Sequence, residues 1–66
     1  MNNKLKKITN FFDLSVGDTV WVKCGGRFYR SKVTQAPFWN SDADEPDWEV
    51  ATTNGFCDRD SIYVNS

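Results

Sequence analysis

The chain has 66 residues, of which 39% are hydrophobic and 15% aromatic, and its formal net charge is −1. A chain of this length buries only about 60% of its unfolded surface, which leaves room for one small core and excludes two-domain enzymes and doubly wound nucleotide-binding sheets. Histidine is absent, which excludes any mechanism that uses imidazole as a base or metal ligand.

Positive charge is concentrated at the start of the chain. Residues 1–10 contain Lys4, Lys6, Lys7 and no acid, whereas residues 11–66 contain five bases and nine acids, a net charge of −4. We predict a flexible basic tail over 1–10 and a folded domain over 11–66. The tail either has no role or serves as an electrostatic arm for an acidic partner. The acidic balance of the domain argues against sequence-independent nucleic-acid binding.

The first half of the domain contains a β-hairpin pattern. After a turn at Gly17, residues 19–24 (TVWVKC) alternate in polarity and are rich in β-branched and aromatic side chains, as are residues 28–35 (FYRSKVTQ). The glycine pair between them, Gly25-Gly26, supplies the positive φ angles that tight hairpin turns need. Two antiparallel strands are therefore predicted here.

The second half begins with a break in this pattern. Residues 36–46 contain Pro37, Pro46 and several acids, and predict a loop of about ten residues, a length that is usually functional or disordered. Residues 47–53 (DWEVATT) predict the third strand, which the turn Asn54-Gly55 joins to the fourth. The next polar residues suit a single 3₁₀ turn, and residues 62–64 form the last strand.

Four segments together resemble the SH3-like small β-barrels of the Tudor and KOW kind. They are LSVGDTVWV, GGRFYRSKV, WEVATTNGF and DRDSIYV, and they cover most of residues 14–64. The resemblance implies an all-β, five-stranded antiparallel barrel with a short 3₁₀ turn before the last strand. It also implies the methylated-lysine cage of Tudor domains, for which Trp21, Phe38, Trp39 and Asp42 are candidates. A small chain with a basic tail further resembles phage-encoded proteins.

Strand alternation assigns residues to the two faces of the sheet. One face carries the predicted core, with Leu14 as a plug and Trp48 inside: Val20, Val22, Val33, Val50 and Ile62. The other face of the first hairpin carries a basic and aromatic stripe: Trp21, Lys23, Phe28, Arg30 and Lys32. This stripe is either a solvated surface on which Trp21 covers lysine stems, or a contact surface for an acidic segment or a nucleic-acid strand.

The predicted loop is the second candidate site. Phe38 and Trp39 lie between its two prolines, and the acids Asp42, Asp44 and Glu45 follow. Exposed aromatic clusters mark interaction sites, so the two rings serve as anchors and the acids as a charged rim. The alternative is that both rings fold back and cap one end of the barrel.

Other kinds of site are disfavoured. Two cysteines without histidine do not close a zinc site, so Cys24 and Cys57 are expected to be free thiols. The acids of residues 42–49 lack the mid-loop glycine and closing glutamate of the twelve-residue calcium loop. No nucleophile has a base, so we expect no enzyme, cofactor or metal. Without a signal peptide or membrane span, the expected location is the cytoplasm.

The sequence therefore predicts a non-enzymatic module, monomeric and without membrane contact, that docks onto another protein through the aromatic and acidic loop and the stripe. One alternative is a nucleic-acid-associated module that uses the basic tail with Lys23, Arg27, Arg30 and Lys32. A second alternative is a structural subunit of a larger assembly. The first two differ in salt dependence, because phosphate binding weakens steeply as salt rises.

Overall fold

A computed structural model describes residues 4–65, which fold into six strands and two 3₁₀ turns. The strands are β1 (Leu5–Lys7), β2 (Thr19–Cys24), β3 (Arg27–Asn40), β4 (Asp47–Thr52), β5 (Gly55–Asp58) and β6 (Ile62–Asn65), and the 3₁₀ turns are η1 (Phe11–Asp13) and η2 (Arg59–Ser61). All six strands belong to one antiparallel sheet in the order β1-β6-β2-β3-β4-β5. The all-β class is confirmed, but the sheet has six strands rather than five and is not closed.

The two glycine turns form hairpins in different ways. Gly25 and Gly26 have φ angles of 59° and 80° and connect the paired residues Cys24 and Arg27, as a two-residue primed turn requires. In the second hairpin Thr52 pairs with Gly55, so the turn is centred one residue earlier than predicted. Gly55 has a φ of 102° and pairs directly with Thr52, and the register then stays constant along β4 and β5, so the loop consists of the two residues 53 and 54 without a bulge.

Strand β3 is much longer than predicted. It continues through Pro37 to Asn40, so the predicted loop over 36–46 shrinks to residues 41–46. Proline removes a ladder hydrogen bond and is tolerated within sheets only at edges and bulges. The pairing of β3 with β4 shifts register between Gln35 and Phe38, and this irregular stretch contains Pro37. The bulge therefore lets the strand pass through the proline.

The predicted basic tail is wrong for residues 5–7. Leu5–Lys7 form β1, which pairs antiparallel with β6 and places Lys7 opposite Tyr63. The chain then stays close to the sheet, because the amide of Ile8 donates a hydrogen bond of 3.1 Å to the carbonyl of Ile62. The side chain of Ile8 packs against the core. Residues 1–3 of the predicted tail lie outside the described part of the chain.

The predicted core is confirmed. All six predicted residues are buried: Leu14, Val20, Val22, Val33, Val50 and Ile62. Phe11, which closes one side of the cluster from η1, and Cys57 belong to the same core although strand alternation did not identify them. The prediction of a buried Trp48 is wrong, since its side chain is 37% exposed. It pairs with Trp39 beyond the second register shift, where the β3–β4 hairpin has passed the core.

The predicted 3₁₀ turn before the last strand is confirmed as η2. The carboxylate of Asp58 accepts a hydrogen bond of 3.1 Å from the amide of Ser61 and thereby closes the turn. A side-chain oxygen in this position satisfies an amide that the short helix leaves without a partner. The turn directs the chain from β5 to β6, where Ile62 enters the core.

Candidate functional site

Three neighbouring rings lie on the surface at the far end of the β3–β4 hairpin. Phe12 and Trp39 are 55% and 52% exposed, and Trp48 lies between them. The ring centroids of Phe12 and Trp48 are 5.2 Å apart and those of Trp39 and Trp48 are 5.7 Å apart, both in edge-to-face geometry. We call these three residues the aromatic end. Such ring contacts hold the side chains in a preferred arrangement while their outer faces meet solvent.

The aromatic end is connected to the core through one more ring. Phe11 is buried and lies 5.3 Å from Phe12, also edge to face. On the other side, the amide of Trp48 donates a hydrogen bond of 2.7 Å to the carboxylate of Asp47. The contact with Phe11 holds the Phe12 ring against the core, and the pairing of Trp39 with Trp48 places the other two rings on neighbouring strands, so the surface is largely preformed.

An acidic turn stands beside the aromatic end. Residues 41–46 connect β3 to β4 and contain three exposed acids, Asp42, Asp44 and Glu45. Asn40 orders the base of the turn: its side-chain amide donates a 2.9 Å hydrogen bond to Glu49, and its side-chain carbonyl accepts one of 3.0 Å from the amide of Asp42. The turn therefore presents its carboxylates at the same end of the hairpin as the rings.

The structure separates the two aromatic residues that were predicted to act together. Phe38 pairs with Glu49 and Trp39 with Trp48, so the side chains of Phe38 and Trp39 point to opposite faces of the strand. The ring of Phe38 contacts that of Phe56 at 5.8 Å instead. The prediction of a joint Phe38-Trp39 anchor is thus wrong, and Phe12 and Trp48 take the place of Phe38.

The proposed cage residues are likewise not brought together. Trp39 contacts Trp48, whereas Phe38 contacts Phe56 on the other face. Trp21 has Arg30 and Tyr63 as its cross-strand neighbours. The structure therefore does not assemble the cage expected from the Tudor resemblance.

The predicted stripe is present and extends over four strands. Trp21 pairs with Arg30 and Tyr63, Tyr63 pairs with Lys7, and Lys23 pairs with Phe28. Directly paired residues share a face, and residues two apart along a strand do so as well. We call this surface the basic face, and its members are Lys7, Trp21, Lys23, Phe28, Arg30, Lys32 and Tyr63.

Within the basic face, two rings contact each other and one lysine ammonium group contacts both. The rings of Phe28 and Tyr63 meet edge to face at 5.0 Å, and the Nζ of Lys23 lies 6.0 Å from each centroid. Arg27 does not belong to this face, because it pairs with Cys24 and is out of phase with Phe28. Of the cations named for the nucleic-acid alternative, Arg27 therefore lies off the basic face, whereas Lys7 of the predicted tail lies on it.

Both cysteines line one open cleft of about 470 Å³ on the opposite side of the first hairpin. Cys24 is exposed and Cys57 is buried, and both are free thiols in the structure. Burial raises the pKa of the Cys57 thiol above its ordinary value, and the carboxylates of Asp58 and Glu49 raise it further. Cys57 is consequently the less reactive of the two thiols, because the thiolate is the reacting form.

We expect a thiol reagent at about pH 8 to modify Cys24 at least about tenfold faster than Cys57 in the native protein, because Cys57 is both shielded and protonated. The Cys24→Ser and Cys57→Ser variants assign the two phases. In unreduced, unfolded protein both thiols should react at similar rates. Equal native rates would contradict the burial of Cys57, and no reaction after unfolding would show that the two cysteines form a disulfide.

Within residues 4–65, no group of three or more potential ligands among Cys, Asp and Glu is placed to hold a metal ion. In the same part of the chain, no helix has the length and apolar composition needed to cross a membrane. Comparison with models of known protein families, with curated proteins and with solved structures finds no match to this chain. Function must therefore be inferred from the surfaces themselves.

Proposed function

We propose that this protein is a non-enzymatic interaction module that binds a positively charged segment of another protein at its aromatic end. The observation that carries the proposal is the exposure of Phe12, Trp39 and Trp48 in mutual contact beside an acidic turn. Within this proposal the sheet is an SH3-like fold of the Tudor or KOW kind, acting in the cytoplasm as a monomer. A phage origin also remains a prediction.

The rings are better explained by binding than by folding. A large ring half exposed to water contributes less to the free energy of folding than a buried one, because the hydrophobic gain scales with the area removed from water. Trp39 leaves 52% of its surface exposed, far more than any core residue. Aromatic residues in preformed, partly apolar patches are the usual centres of binding energy in protein interfaces.

Charge decides the kind of partner. Asp42, Asp44 and Glu45 are exposed next to the rings. Lysine and arginine side chains are attracted both to carboxylates and to the faces of tryptophan rings, and the attraction is stronger where water is excluded. Carboxylates at the rim would also steer a basic segment toward the rings. A lysine- or arginine-rich peptide is therefore the partner that fits this end of the molecule.

The test measures binding of basic peptides about ten residues long by calorimetry, with glutamate-substituted peptides of the same length as the matched probe. We expect Trp39→Ala to weaken binding by at least about thirtyfold, or ~2 kcal/mol, as for a hot-spot residue. The matched control is Phe38→Ala, the adjacent ring on the opposite face, which should change affinity by less than about fivefold.

Thermal melts of the same variants test whether weaker binding is caused by loss of folding. If the rings served to cap the domain, Trp39→Ala would melt much earlier than the parent and its folded fraction would still bind. The proposal fails in that case. It also fails if Phe38→Ala and Trp39→Ala weaken binding equally, or if acidic peptides bind as well as basic ones.

A further inference from the structure

We infer that the basic face forms a second site, independent of the aromatic end, that binds single-stranded nucleic acid. The face consists of Lys7, Trp21, Lys23, Phe28, Arg30, Lys32 and Tyr63. It lies on strands β1, β6, β2 and β3, whereas the aromatic end is formed by η1 and the far part of the β3–β4 hairpin. The two surfaces differ in charge and therefore suit different partners.

One row of side chains defines the geometry of the site. Across neighbouring strands the residues are Lys7, Tyr63, Trp21 and Arg30 in that order. With strands ~4.8 Å apart, the row is about 14 Å long, with a base at each end and two rings between them. A second, shorter row places Lys23 beside Phe28. Rings alternating with cations are what a nucleic-acid strand requires, since bases stack and phosphates pair with cations.

The rings of the face are accessible. Phe28 is 41% exposed, and Trp21 and Tyr63 are half-buried on the outer side of the sheet. Their neighbours Val20, Val22 and Ile62 point inward and are fully or almost fully buried. The inner residues thereby hold the strands rigid, while the outer rings remain available to stack against bases.

The negative net charge of the molecule argues against nucleic-acid binding, but the charges are unevenly distributed over the sheet. Strands β1, β2, β3 and β6 contain six of the eight lysines and arginines and none of the nine acidic residues. Every acid lies instead in a turn, in η1 or η2, or on β4 or β5. A strand of phosphates on the basic face would therefore meet cations locally, although the whole molecule is negatively charged.

A single strand fits better than the other polyanions. An acidic peptide would use the bases but leave the ring faces without a flat partner, whereas every nucleobase offers one. A duplex keeps its bases stacked internally, so it would offer these rings no base face to stack on. The combination of exposed rings and cations on one face therefore favours an unpaired strand.

The experiment measures fluorescence anisotropy of labelled thymidine or uridine oligonucleotides about ten nucleotides long, with a duplex of equal length and poly-glutamate as competitors. Neutralising three or four phosphates predicts that affinity falls roughly twenty- to fiftyfold between about 50 and 200 mM salt. The single strand should also compete better than the duplex or poly-glutamate. If poly-glutamate competes as well as the oligonucleotide, the face binds acidic protein segments and the inference is wrong.

Two double variants with equal charge change locate the site. Lys23→Gln with Arg30→Gln removes two cations of the face, and should lower affinity at least about tenfold and flatten the salt dependence. Lys6→Gln with Arg27→Gln removes two cations that point to the other side, since they pair with Val64 and Cys24. If both pairs weaken binding equally, attraction is nonspecific and the assignment of the site fails.

Quenching of tryptophan fluorescence tests whether bases stack on the rings of the basic face. The chain has three tryptophans, so Trp39→Phe with Trp48→Phe leaves Trp21 as the only one. Binding of the oligonucleotide should quench the fluorescence of Trp21. Adding Phe28→Ala to the same background should weaken binding about five- to hundredfold. Binding without quenching of Trp21 would overturn the assignment to the basic face. Because the aromatic end contains no tryptophan in this background, the signal reports on the basic face and not on peptide binding at the other site.

Discussion

Replacement of Phe11 by alanine is expected to remove a large part of the protein's free energy of unfolding. Phe11 is buried in the core, and truncation of a buried phenylalanine typically costs ~3–5 kcal/mol. A domain of this size has a total stability of roughly 3–10 kcal/mol. Chemical denaturation followed by circular dichroism gives the loss directly, as a shift of the unfolding midpoint at constant slope.

The neighbouring residue is the matched control. Phe12 follows Phe11 in η1 but is 55% exposed, so Phe12→Ala should lower the free energy of unfolding by about 1 kcal/mol or less. It should nevertheless weaken peptide binding at the aromatic end, because its ring contacts Trp48. If the two variants lose equal stability, η1 does not bury Phe11 in preference to Phe12.

Replacement of Ile62 by alanine is the second change with a large expected effect. Ile62 is completely buried, pairs with Val22 of β2, and accepts the hydrogen bond from the amide of Ile8. Its side chain therefore sits where β6 connects the N-terminal strand to the rest of the sheet. We expect a loss of ~2–5 kcal/mol, because the rigid surroundings would leave a cavity.

A graded series distinguishes this cause from a general loss of β-propensity. Ile62→Val removes one methyl group and should cost only ~0.5–1.5 kcal/mol, while keeping a β-branched residue in the strand. Val16→Ala, at an exposed position, should change stability by less than about 0.5 kcal/mol. Equal effects of the alanine and valine substitutions at position 62 would contradict the packing described.

Local signals were enough to predict most of the sheet. Gly25-Gly26 marked the first hairpin because both residues need positive φ, and alternation around Val20, Val22 and Val33 identified their buried face correctly. These features depend on a few consecutive residues. The same holds for η2, where the polar run before Ile62 is too short for an α-helix.

The features that were missed depend on distant parts of the chain. The segment Leu5–Lys7 is polar and basic, and it becomes a strand only because β6 offers it an edge with which to pair. Likewise, Pro37 suggested a loop, yet the register shift against β4 accommodates it within β3. Neither the available edge nor the bulge is visible in the local pattern.

The two candidate surfaces also differ in whether they depend on neighbouring or on distant residues. The stripe around Trp21 followed from alternation along two strands and is present as predicted. The aromatic end was only partly predicted, since the rings of Phe12 and Trp48 reach Trp39 from separate elements. The separation of Phe38 from Trp39 could have been inferred if residues 36–40 had been recognised as a strand, because neighbouring strand residues face opposite sides.

The open sheet also has a consequence for self-association. An unclosed sheet leaves a row of free backbone amides and carbonyls at each edge, and such rows can pair with another copy and seed aggregates. Here the two edge strands are short, Leu5–Lys7 and Gly55–Asp58. One carries two adjacent lysines, and the other begins with glycine and ends with aspartate. Short, charged edges of this kind oppose strand-by-strand growth.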